Sequence, residues 1–577
     1  MKKIPYGKSS FTEIRESDMY YVDKTKYIEV LETMPDYQFF IRPRRFGKSL
    51  FISMLECYYD IKEKENFGKL FEDLYISKNP TEEKNKYLVL RIDFAPIVTA
   101  QGEERLIESF DNIVSSNINK FINKYSDLIK IKELPKQNWK AEKAIIYLDE
   151  VISLTGYKIV LLIDEYDNYA NEIMTSNKDL YYKIANEGGY AKTFYKTVKS
   201  LTTSIISRIF MTGVSPIFLD DLTSGPNMFS NITNKKILNN ILGFTNEELE
   251  KMVDYFKLEE YVDRKKLLED MKYLYNGYKF NEEVEETVYN TDMVLYLINE
   301  INLEKKYPKN MIDENVKTDY GKIRKIAINF GNAEELNDIG AKNLEIGPVT
   351  LPDRIKLEDL YNPAVKDTYY RALMYYMGML TIKRAEENSL ILGIPNYVIK
   401  SLYWDYIVDY LGGDKIVGEE EIKLAMRKMR LESNIEEIMQ IYKKSRQEIL
   451  SYRDLRWYNE LTSKVIFLML TKRDGMYMIK SEHESTEGYI DVYLKASTNL
   501  DKYVNYNYVI EFKHIKEKGL KTKVKKEKAL EKAKQEASEQ LDNYMQDYRI
   551  QEDSGGKEIK KLVIITLGKN DLYGYVI

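Results

Sequence analysis

The string R-P-R-R-F-G-K-S at residues 42–49 ends as a phosphate-binding loop of the Walker A type ends. An apolar run at 37–41 precedes it and apolar residues at helical spacing follow it, so the local order is strand, loop, helix. In such a loop Lys48 reaches the β- and γ-phosphates of ATP, Ser49 binds Mg²⁺, and backbone N–H groups surround the phosphates. The residues predicted to bind the nucleotide here are Arg45, Phe46, Gly47, Lys48, Ser49 and Leu50.

The loop departs from the usual pattern, because Arg42 stands where the first glycine is expected. The tripeptide Gly-Lys-Ser also occurs at residues 7–9, but only the second copy lies between a buried strand and a helix. We therefore interpret 42–49 as the phosphate-binding loop and 7–9 as an ordinary segment. Arg44 and Arg45 would contact phosphate, face solvent or pair with Asp167.

The acidic partner of this loop should follow a buried strand. Asp164-Glu165 follows I-V-L-L-I at 159–163, whereas Asp149-Glu150 lies in a segment of helical period, so Asp164 is the better candidate. Asp164 would bind Mg²⁺ and Glu165 would polarise the attacking water as a general base. Thr212, at the end of the next apolar run, is either a contact to the γ-phosphate or this water, or a plain strand end.

A second set of residues near the C-terminal end could bind a metal ion. Asp491 lies in G-Y-I-D-V-Y-L at 488–494, and E-F-K at 511–513 places Glu511 and Lys513 on one face of a strand. Two carboxylates would bind Mg²⁺ or Mn²⁺, while the lysine would position a water or stabilise developing phosphate charge. The bland alternative is the alternation of charged and apolar residues that any half-exposed strand shows.

Three further residues fit this second set. Glu460, on a preceding helix, could be a further ligand. Gln540 and Tyr544 form the pattern Q-x-x-x-Y, one helical turn apart, and several nucleases have this pattern beside their metal ion. Residues 513–534 contain ten lysines against three glutamates, which suits either a stripe along a nucleic-acid backbone or a solvated helix face. We interpret His514 as structural.

The elements that must position these residues alternate between strands and helices in the first part of the chain. This alternation predicts a parallel, doubly wound α/β sheet. A helical, charged stretch and a weakly winged-helix-like outline at 369–410 follow, and then a C-terminal α/β segment. The predicted domains are 1–244, 245–450 and 451–577.

Composition limits the remaining possibilities. The 577 residues exceed one core, and 44% apolar and 31% charged residues are ordinary for a soluble globular protein. Cys57 is the only cysteine, so no intrachain disulfide is possible, and two histidines cannot build a zinc site with it without carboxylates. No apolar run suits a signal peptide or a membrane span, so we expect a cytoplasmic protein without membrane partners.

With both sets of residues in view, the chain resembles AAA-ATPase-like proteins that carry a C-terminal PD-(D/E)XK nuclease domain. The shared strings include Y-V-D-K-T at 21–25, L-I-D-E-Y-D at 162–167, T-G-V-S-P-I at 212–217, Y-N-G-Y-K-F at 275–280 and I-P-N at 394–396. The missing first glycine is shared by that family. The resemblance implies ATP binding by Lys48, Ser49 and Asp164, and a nuclease-type metal site at Asp491, Glu511 and Lys513.

Two hypotheses follow for function. The first is a protein that binds and hydrolyses ATP in its first part and couples this to a metal-dependent deoxyribonuclease domain that acts on DNA. Assembly into a homo-oligomer is part of this hypothesis. The second is an ATP-dependent switch whose nuclease-like domain is inactive and only binds DNA or a protein partner. A small-molecule kinase is disfavoured, because nothing in the sequence forms a lid for an acceptor substrate.

Overall fold

The computed structural model describes residues 1–99, 102–129, 139–185, 189–217, 228–330, 345–410, 418–452, 460–485, 488–517, 520, 522–568 and 571–577. These residues form two compact units. The first comprises Met1–Lys305, Ile312–Phe330 and Gly347–Tyr397, and the second comprises Lys306–Met311, Gly331–Ile346 and Val398–Ile577. The three predicted domains divide the chain differently and remain predictions.

A five-stranded sheet lies at the centre of the first unit. Its strands are β1 (Tyr37–Ile41), β2 (Leu88–Asp93), β3 (Ile159–Asp164), β4 (Ile206–Gly213) and β5 (Ser230–Asn231), in the order β2-β3-β4-β1-β5. All the strand pairs are parallel, as predicted. Every residue of β3 is buried, because helices cover both faces of such a sheet and its central strands become continuous apolar runs.

The helices that connect and cover these strands follow the predicted alternation. They are α1 (Phe11–Glu16), α2 (Tyr27–Glu32), α3 (Lys48–Tyr59), α4 (Phe67–Phe71), α5 (Tyr75–Lys78), α6 (Glu103–Lys124), α7 (Ala141–Ile152), α8 (Asn168–Ser176), α9 (Lys178–Ala185) and α10 (Tyr190–Leu201). Short 3₁₀ turns lie at Ile61–Glu63, Lys236–Leu238, Leu258–Glu260 and Leu357–Leu360. Asp149 and Glu150 lie within α7, so these two acids do not follow a strand.

The rest of the first unit is mostly helical. It contains α11 (Asn246–Tyr255), α12 (Arg264–Tyr275), α13 (Thr291–Glu304), α14 (Glu314–Phe330) and α15 (Lys366–Tyr376). A small sheet of β6 (Ile346–Val349), β7 (Thr381–Glu386) and β8 (Ser389–Gly393) has the order β6-β8-β7. The expected order of helix, hairpin and helix over 369–410 is present, but its last helix, α16 (Tyr397–Tyr410), belongs to the second unit from Val398 onward.

A mixed five-stranded sheet organises the second unit. The strands β9 (Tyr477–Ser485), β10 (Gly488–Ala496), β11 (Tyr506–Ile515), β12 (Glu558–Leu567) and β13 (Asp571–Val576) have the order β13-β12-β11-β10-β9. Only β11 and β12 pair in parallel. The sequence analysis did not predict β13, because D-L-Y-G-Y-V lacks the continuous apolar run of its neighbours.

Helices pack on both faces of this sheet. They are α17 (Glu419–Glu432), α18 (Glu436–Tyr452), α19 (Glu460–Asp474), α20 (Lys523–Tyr544) and α21 (Tyr548–Asp553), with a 3₁₀ turn at Asp501–Tyr503. Because parallel strands need a crossover, α20 connects β11 to β12 and packs on the sheet through Ala537, Leu541 and Tyr544. On α19, Phe467 lies 5.7 Å from Phe512 of β11, measured between ring centroids.

Candidate functional site

The phosphate-binding loop joins β1 to α3. Two of its residues have left-handed backbone conformations, Arg45 with φ 64° and Gly47 with φ 92°. Gly47 is the N-cap of α3, and a side chain there would strain the backbone although no neighbour occupies the space. The first N–H groups of α3 have no partner within the helix, so this end suits an anion.

Lys48 extends inside this loop. Its side chain is 4% exposed, and Nζ lies 3.7 Å from Oε1 of Glu165. The same Nζ donates hydrogen bonds of 3.1 Å to the carbonyl oxygens of Arg42 and Pro43. The ammonium group is therefore already turned toward the loop interior, where the predicted phosphates would lie.

Asp164 ends β3 at the same edge of the sheet. Its carboxylate Oδ1 accepts a hydrogen bond of 3.1 Å from the backbone N–H of Glu165. Burial and the nearby Glu165 raise the pKa of Asp164 to about 6, against the effect of Ser49. Oδ2 is buried without a hydrogen-bond partner among the described residues, so Ser49 and Asp164 fit the oxygen ligands that Mg²⁺ prefers.

Two further residues lie beside this pair. Thr212 of β4 is fully buried, and its hydroxyl has no hydrogen-bond partner in the described part of the chain. Arg91 of β2, which the sequence analysis did not select, has its Nη2 3.7 Å from Oδ2 of Asp164. Since parallel strands end at one edge, the structure brings Asp164, Glu165 and Thr212 to the edge that carries the loop.

Arg42 has a packing role that explains the missing glycine. The side chain is 0% exposed and donates hydrogen bonds to the carbonyl oxygens of Thr233 and Leu238 at 2.8 Å each. Its guanidinium carbon also lies 4.0 Å from the ring centroid of Phe280 and 4.4 Å from that of Phe40. The arginine thus connects β1 to residues 233–238 and to Phe280 of the shared string 275–280 instead of reaching phosphate.

The alternative that Arg45 pairs with Asp167 is wrong. Arg45 forms an ion pair with Asp292 at the start of α13 and lies 3.9 Å from Asp313. Asp167 instead accepts hydrogen bonds from the backbone N–H groups of Val214 and Ser215, at 3.1 and 2.7 Å. The acid therefore fixes the turn after β4, which accounts for its place in the shared string.

A cavity of about 310 Å³ adjoins the phosphate-binding loop, within the size range of small-molecule sites. Its lining combines the loop with polar and apolar side chains, namely Lys8, Ser9, Tyr20, Tyr21, Lys24, Arg45, Lys48, Ser49, Leu50, Glu165, Leu242, Phe244, Asp292 and Leu295. The first Gly-Lys-Ser copy at 7–9 lines this cavity as well. Nothing in the sequence indicated that residues 7–9 would line this cavity, because their position depends on packing between segments that are far apart in the chain.

In the second unit, Asp491 and Glu511 lie on adjacent antiparallel strands. The ladder pairs Val492 with Ile510, and the same register places Asp491 opposite Glu511. Asp491 Oδ2 accepts a hydrogen bond of 2.8 Å from the backbone N–H of Phe512. The structure thus brings the two predicted carboxylates together at the open end of this ladder.

Glu511 and Lys513 share one face of β11, as their spacing predicted. Lys513 Nζ donates to Glu511 Oε1 at 2.9 Å, whereas Glu511 Oε2 is buried without a hydrogen-bond partner among the described residues. Burial, and then the charge of Asp491, raise the pKa of Glu511 to about 7, and Lys513 opposes this shift. An unbonded buried carboxylate oxygen beside a second carboxylate fits a divalent cation.

Lys464 of α19 was not predicted. Its side chain is 3% exposed, and Nζ lies 3.1 Å from Asp491 Oδ1. The only sequence signal is its spacing of one helical turn from Glu460. Glu460 begins α19, but its side chain lies outside the described residues.

The accessory residues on α20 lie over the sheet face to which Glu511 points. Tyr544 packs in the same apolar cluster as Val509, and Val509 and Glu511 share a face of β11. Gln540 Oε1 is buried without a hydrogen-bond partner within the described ranges. His514 Nδ1 is 2.8 Å from Thr566 Oγ1 of the neighbouring strand, which agrees with a structural role.

The described residues contain neither a membrane-spanning helix nor a preformed cluster of metal ligands. No helix there is long and apolar enough to cross a membrane. No group of three or more His, Cys, Asp and Glu side chains is arranged to hold a metal ion there.

Comparison with protein families agrees with the motifs. Residues 5–223 match the family described as predicted AAA-ATPases, and residues 458–574 match the PD-(D/E)XK nuclease superfamily. The resemblance inferred from the motifs is confirmed at both ends of the chain. The predicted α/β fold class is confirmed as well: the first unit contains the parallel sheet and the second unit contains the mixed sheet.

Among individual proteins, the chain is 28% identical over 302 residues to the uncharacterized protein in the vnfD 5′ region of Azotobacter chroococcum mcd 1. The match covers 51% of this chain, and the chain spans about half of that relative, 52%.

Two solved structures are also similar. A chain of Drosophila ORC bound to DNA is 10% identical, with a TM-score of 0.25, over 70% of this chain and 85% of that chain. The Aeropyrum pernix ORC1 protein in complex with DNA is 10% identical, with a TM-score of 0.26, over 67% and 91%. Similarity at these scores carries no conclusion about function.

Proposed function

We propose that this protein binds and hydrolyses ATP in its first unit and cleaves DNA in its second unit with a divalent metal ion. The observation that carries the nuclease half is the meeting of Asp491 and Glu511 at the open end of one strand pair. Lys513 lies 2.9 Å from Glu511, and one oxygen of Glu511 is left without a hydrogen bond among the described residues. Two carboxylates can hold a divalent metal ion that activates water, and a nearby lysine can stabilise charge that develops on a phosphodiester.

In the first unit, Lys48 and the N–H groups at the start of α3 would bind the β- and γ-phosphates. Ser49 and Asp164 would hold Mg²⁺, and Thr212 would contact the γ-phosphate or the attacking water. Glu165 would orient that water and accept its proton, because its carboxylate lies at the cavity beside Lys48. Other side chains that line the cavity, including Tyr20 and Phe244, would contact the base and sugar.

In the second unit, Asp491 and Glu511 would hold Mg²⁺ or Mn²⁺, with Glu460 as a further ligand. A bound divalent ion supplies charge stabilisation and lowers the pKa of a coordinated water. Lys513 would orient that water or neutralise charge that develops on the phosphate. Gln540 and Tyr544 of α20 would line the site and hold its side chains in place.

DNA is the proposed substrate, and the lysines of 513–534 are the proposed backbone contacts. Lys523 and Lys532 on α20 are exposed, with side-chain exposures of 91% and 77%, so both can reach a polyanion. Both also lie near glutamates one turn away, at 4.0 and 3.6 Å, as on a solvated helix face. We further propose a cytoplasmic location and assembly into homo-oligomers, which would offer an arginine to the neighbouring nucleotide site.

One observation favours the second candidate, a switch with an inactive nuclease-like unit. Both carboxylate oxygens of Asp491 already accept hydrogen bonds, Oδ1 from Lys464 and Oδ2 from Phe512. An acid satisfied in this way can serve structure alone.

Incubation of a supercoiled plasmid with ATP and Mn²⁺ distinguishes the two candidates. The enzyme hypothesis requires nicking by the wild type, loss of nicking in Glu511→Ala, and retained ATP binding in that variant. Glu517→Ala removes an exposed glutamate six residues away and should nick normally. Absence of nicked product in wild type with Mg²⁺ and with Mn²⁺ would favour the switch, in which Lys48→Ala changes only binding or assembly.

A further inference from the structure

Lys464 is a buried positive charge that the proposed chemistry does not use. It lies on α19, which is otherwise apolar where it meets the sheet, and its side chain is 3% exposed. A buried ammonium group is costly unless a counter-charge compensates it. Its Nζ lies 3.1 Å from Oδ1 of Asp491, so α19 delivers this charge directly to one of the two carboxylates.

Each of the two described carboxylates of the site has an ammonium partner. Asp491 has Lys464 at 3.1 Å, and Glu511 has Lys513 at 2.9 Å. The charge of Lys464 also acts on Glu511. Two ionised carboxylates that lie side by side in a low-dielectric site repel each other strongly, and the two ammonium groups offset this repulsion.

The two carboxylates differ in what remains free. Asp491 has a donor on each oxygen, Lys464 on Oδ1 and the Phe512 N–H on Oδ2. Glu511 keeps Oε2 buried and without a hydrogen-bond partner among the described residues. A divalent cation approaching the pair would therefore meet an open oxygen on Glu511 and an ammonium group on the far side of Asp491.

We propose that Lys464 is a built-in second cation of this site. Its ammonium group holds Asp491 in place and occupies the position that a second divalent ion would need at that carboxylate. The site would thus take one divalent ion, held through Glu511 and the remaining lone pairs of Asp491. This inference rests on the proposed metal site at Asp491 and Glu511, but not on cleavage.

The test is direct Mn²⁺ binding to the full chain, followed by electron paramagnetic resonance in the absence of nucleotide. A bound Mn²⁺ ion is assigned to this site when the Glu511→Gln variant no longer binds it. The key variant is Lys464→Gln, which keeps an N–H donor for Asp491 while it removes the charge. Lys464→Arg keeps the charge, and Lys472→Gln removes a charge from the same helix, where Lys472 pairs with Asp405 at 2.6 Å.

The wild type should bind one Mn²⁺ at this site, and Lys464→Gln should bind it roughly tenfold more tightly or gain a second ion, because a nearby cation has been removed. Lys464→Arg and Lys472→Gln should match the wild type. Binding seen only in Lys464→Gln would overturn the proposal that the wild-type site takes one ion. Affinity that is unchanged or weaker in Lys464→Gln, or no Mn²⁺ in any variant, would overturn it.

Plasmid cleavage by the same samples separates this inference from the proposed function. A protein that binds Mn²⁺ with the predicted dependence on Lys464 but never nicks DNA contradicts only the nuclease activity. A protein that nicks DNA while its Mn²⁺ affinity ignores Lys464 contradicts only the role of Lys464.

Discussion

Lys48 and Glu165 face each other across the phosphate-binding loop, with Nζ of the lysine 3.7 Å from Oε1 of the glutamate. Lys48 begins α3 after β1, and Glu165 follows β3 of the same parallel sheet, which places an anion-binding ammonium and a base at one cavity. A triphosphate would enter between them and replace this contact by contacts of its own.

Lys48→Ala should weaken ATP binding roughly 10- to 100-fold, since a charge-assisted contact to phosphate is worth ~1.5–3 kcal/mol. Binding of a fluorescent ATP analogue to the full chain measures this loss. Lys62→Ala, which removes a partly exposed lysine paired with Asp127, should leave the affinity unchanged. Equal affinities for wild type and Lys48→Ala would place the nucleotide elsewhere.

Glu165→Gln should keep ATP affinity close to that of the wild type but lower hydrolysis by about 10²-fold, the usual contribution of a general base. Glu150→Gln is the matched control, because that residue lies on α7 and belongs to the rejected acidic pair. Phosphate release under saturating ATP reports both variants. If the two variants hydrolyse ATP equally fast, Glu165 does not act on the water.

Arg42→Gly restores the glycine of the usual loop pattern and should nevertheless destabilise the protein. The substitution removes a fully buried side chain and leaves the carbonyl oxygens of Thr233 and Leu238 without their donor. The expected loss is ~2–4 kcal/mol in the free energy of unfolding of the first unit. Thermal denaturation checks this, and a variant as stable as the wild type would show that Arg42 has no packing role.

The stability of the second unit should depend on pH through Glu511. Folding raises the pKa of this carboxyl from 4.5 to about 7, mainly by burial. A group with a raised pKa stabilises the folded state while it is protonated, below about pH 4.5, and that contribution is lost between pH 4.5 and 7. Glu511→Gln cannot ionise, so it should be more stable than the wild type at pH 8, by on the order of 1–3 kcal/mol.

Denaturation of both proteins at pH 5 and pH 8, without metal ions, provides the comparison. The gain in Glu511→Gln should be largest at pH 8 and should shrink toward pH 5. A constant difference at the two pH values would mean that Glu511 ionises in the folded protein as it does in the unfolded chain.

The sequence contains local signals for much of this architecture. The apolar run at 159–163 predicts a buried strand because parallel strands are covered on both faces, and the spacing of Glu511 and Lys513 predicts a shared face because side chains alternate along a strand. Such inferences need only neighbouring residues. They extend to the order of elements and to which acids follow strands.

Other features depend on contacts between distant residues and have no local signal. Arg42 looks like a loop residue, yet its donors reach carbonyl oxygens at 233 and 238. Lys464 looks like one polar residue on a helix, yet its side chain donates a hydrogen bond to Asp491, which lies 27 residues later in the chain. The place of residues 7–9 at the cavity likewise requires the folded sheet.

The most direct test of the nuclease-type site compares Lys513→Ala with Lys502→Ala, since the second lysine is exposed and lies outside the lysine-rich segment 513–534. Plasmid nicking with Mn²⁺ should disappear in Lys513→Ala and continue in Lys502→Ala, while both variants still bind Mn²⁺. Nicking that survives in Lys513→Ala at the wild-type rate would contradict a site built from Asp491, Glu511 and Lys513.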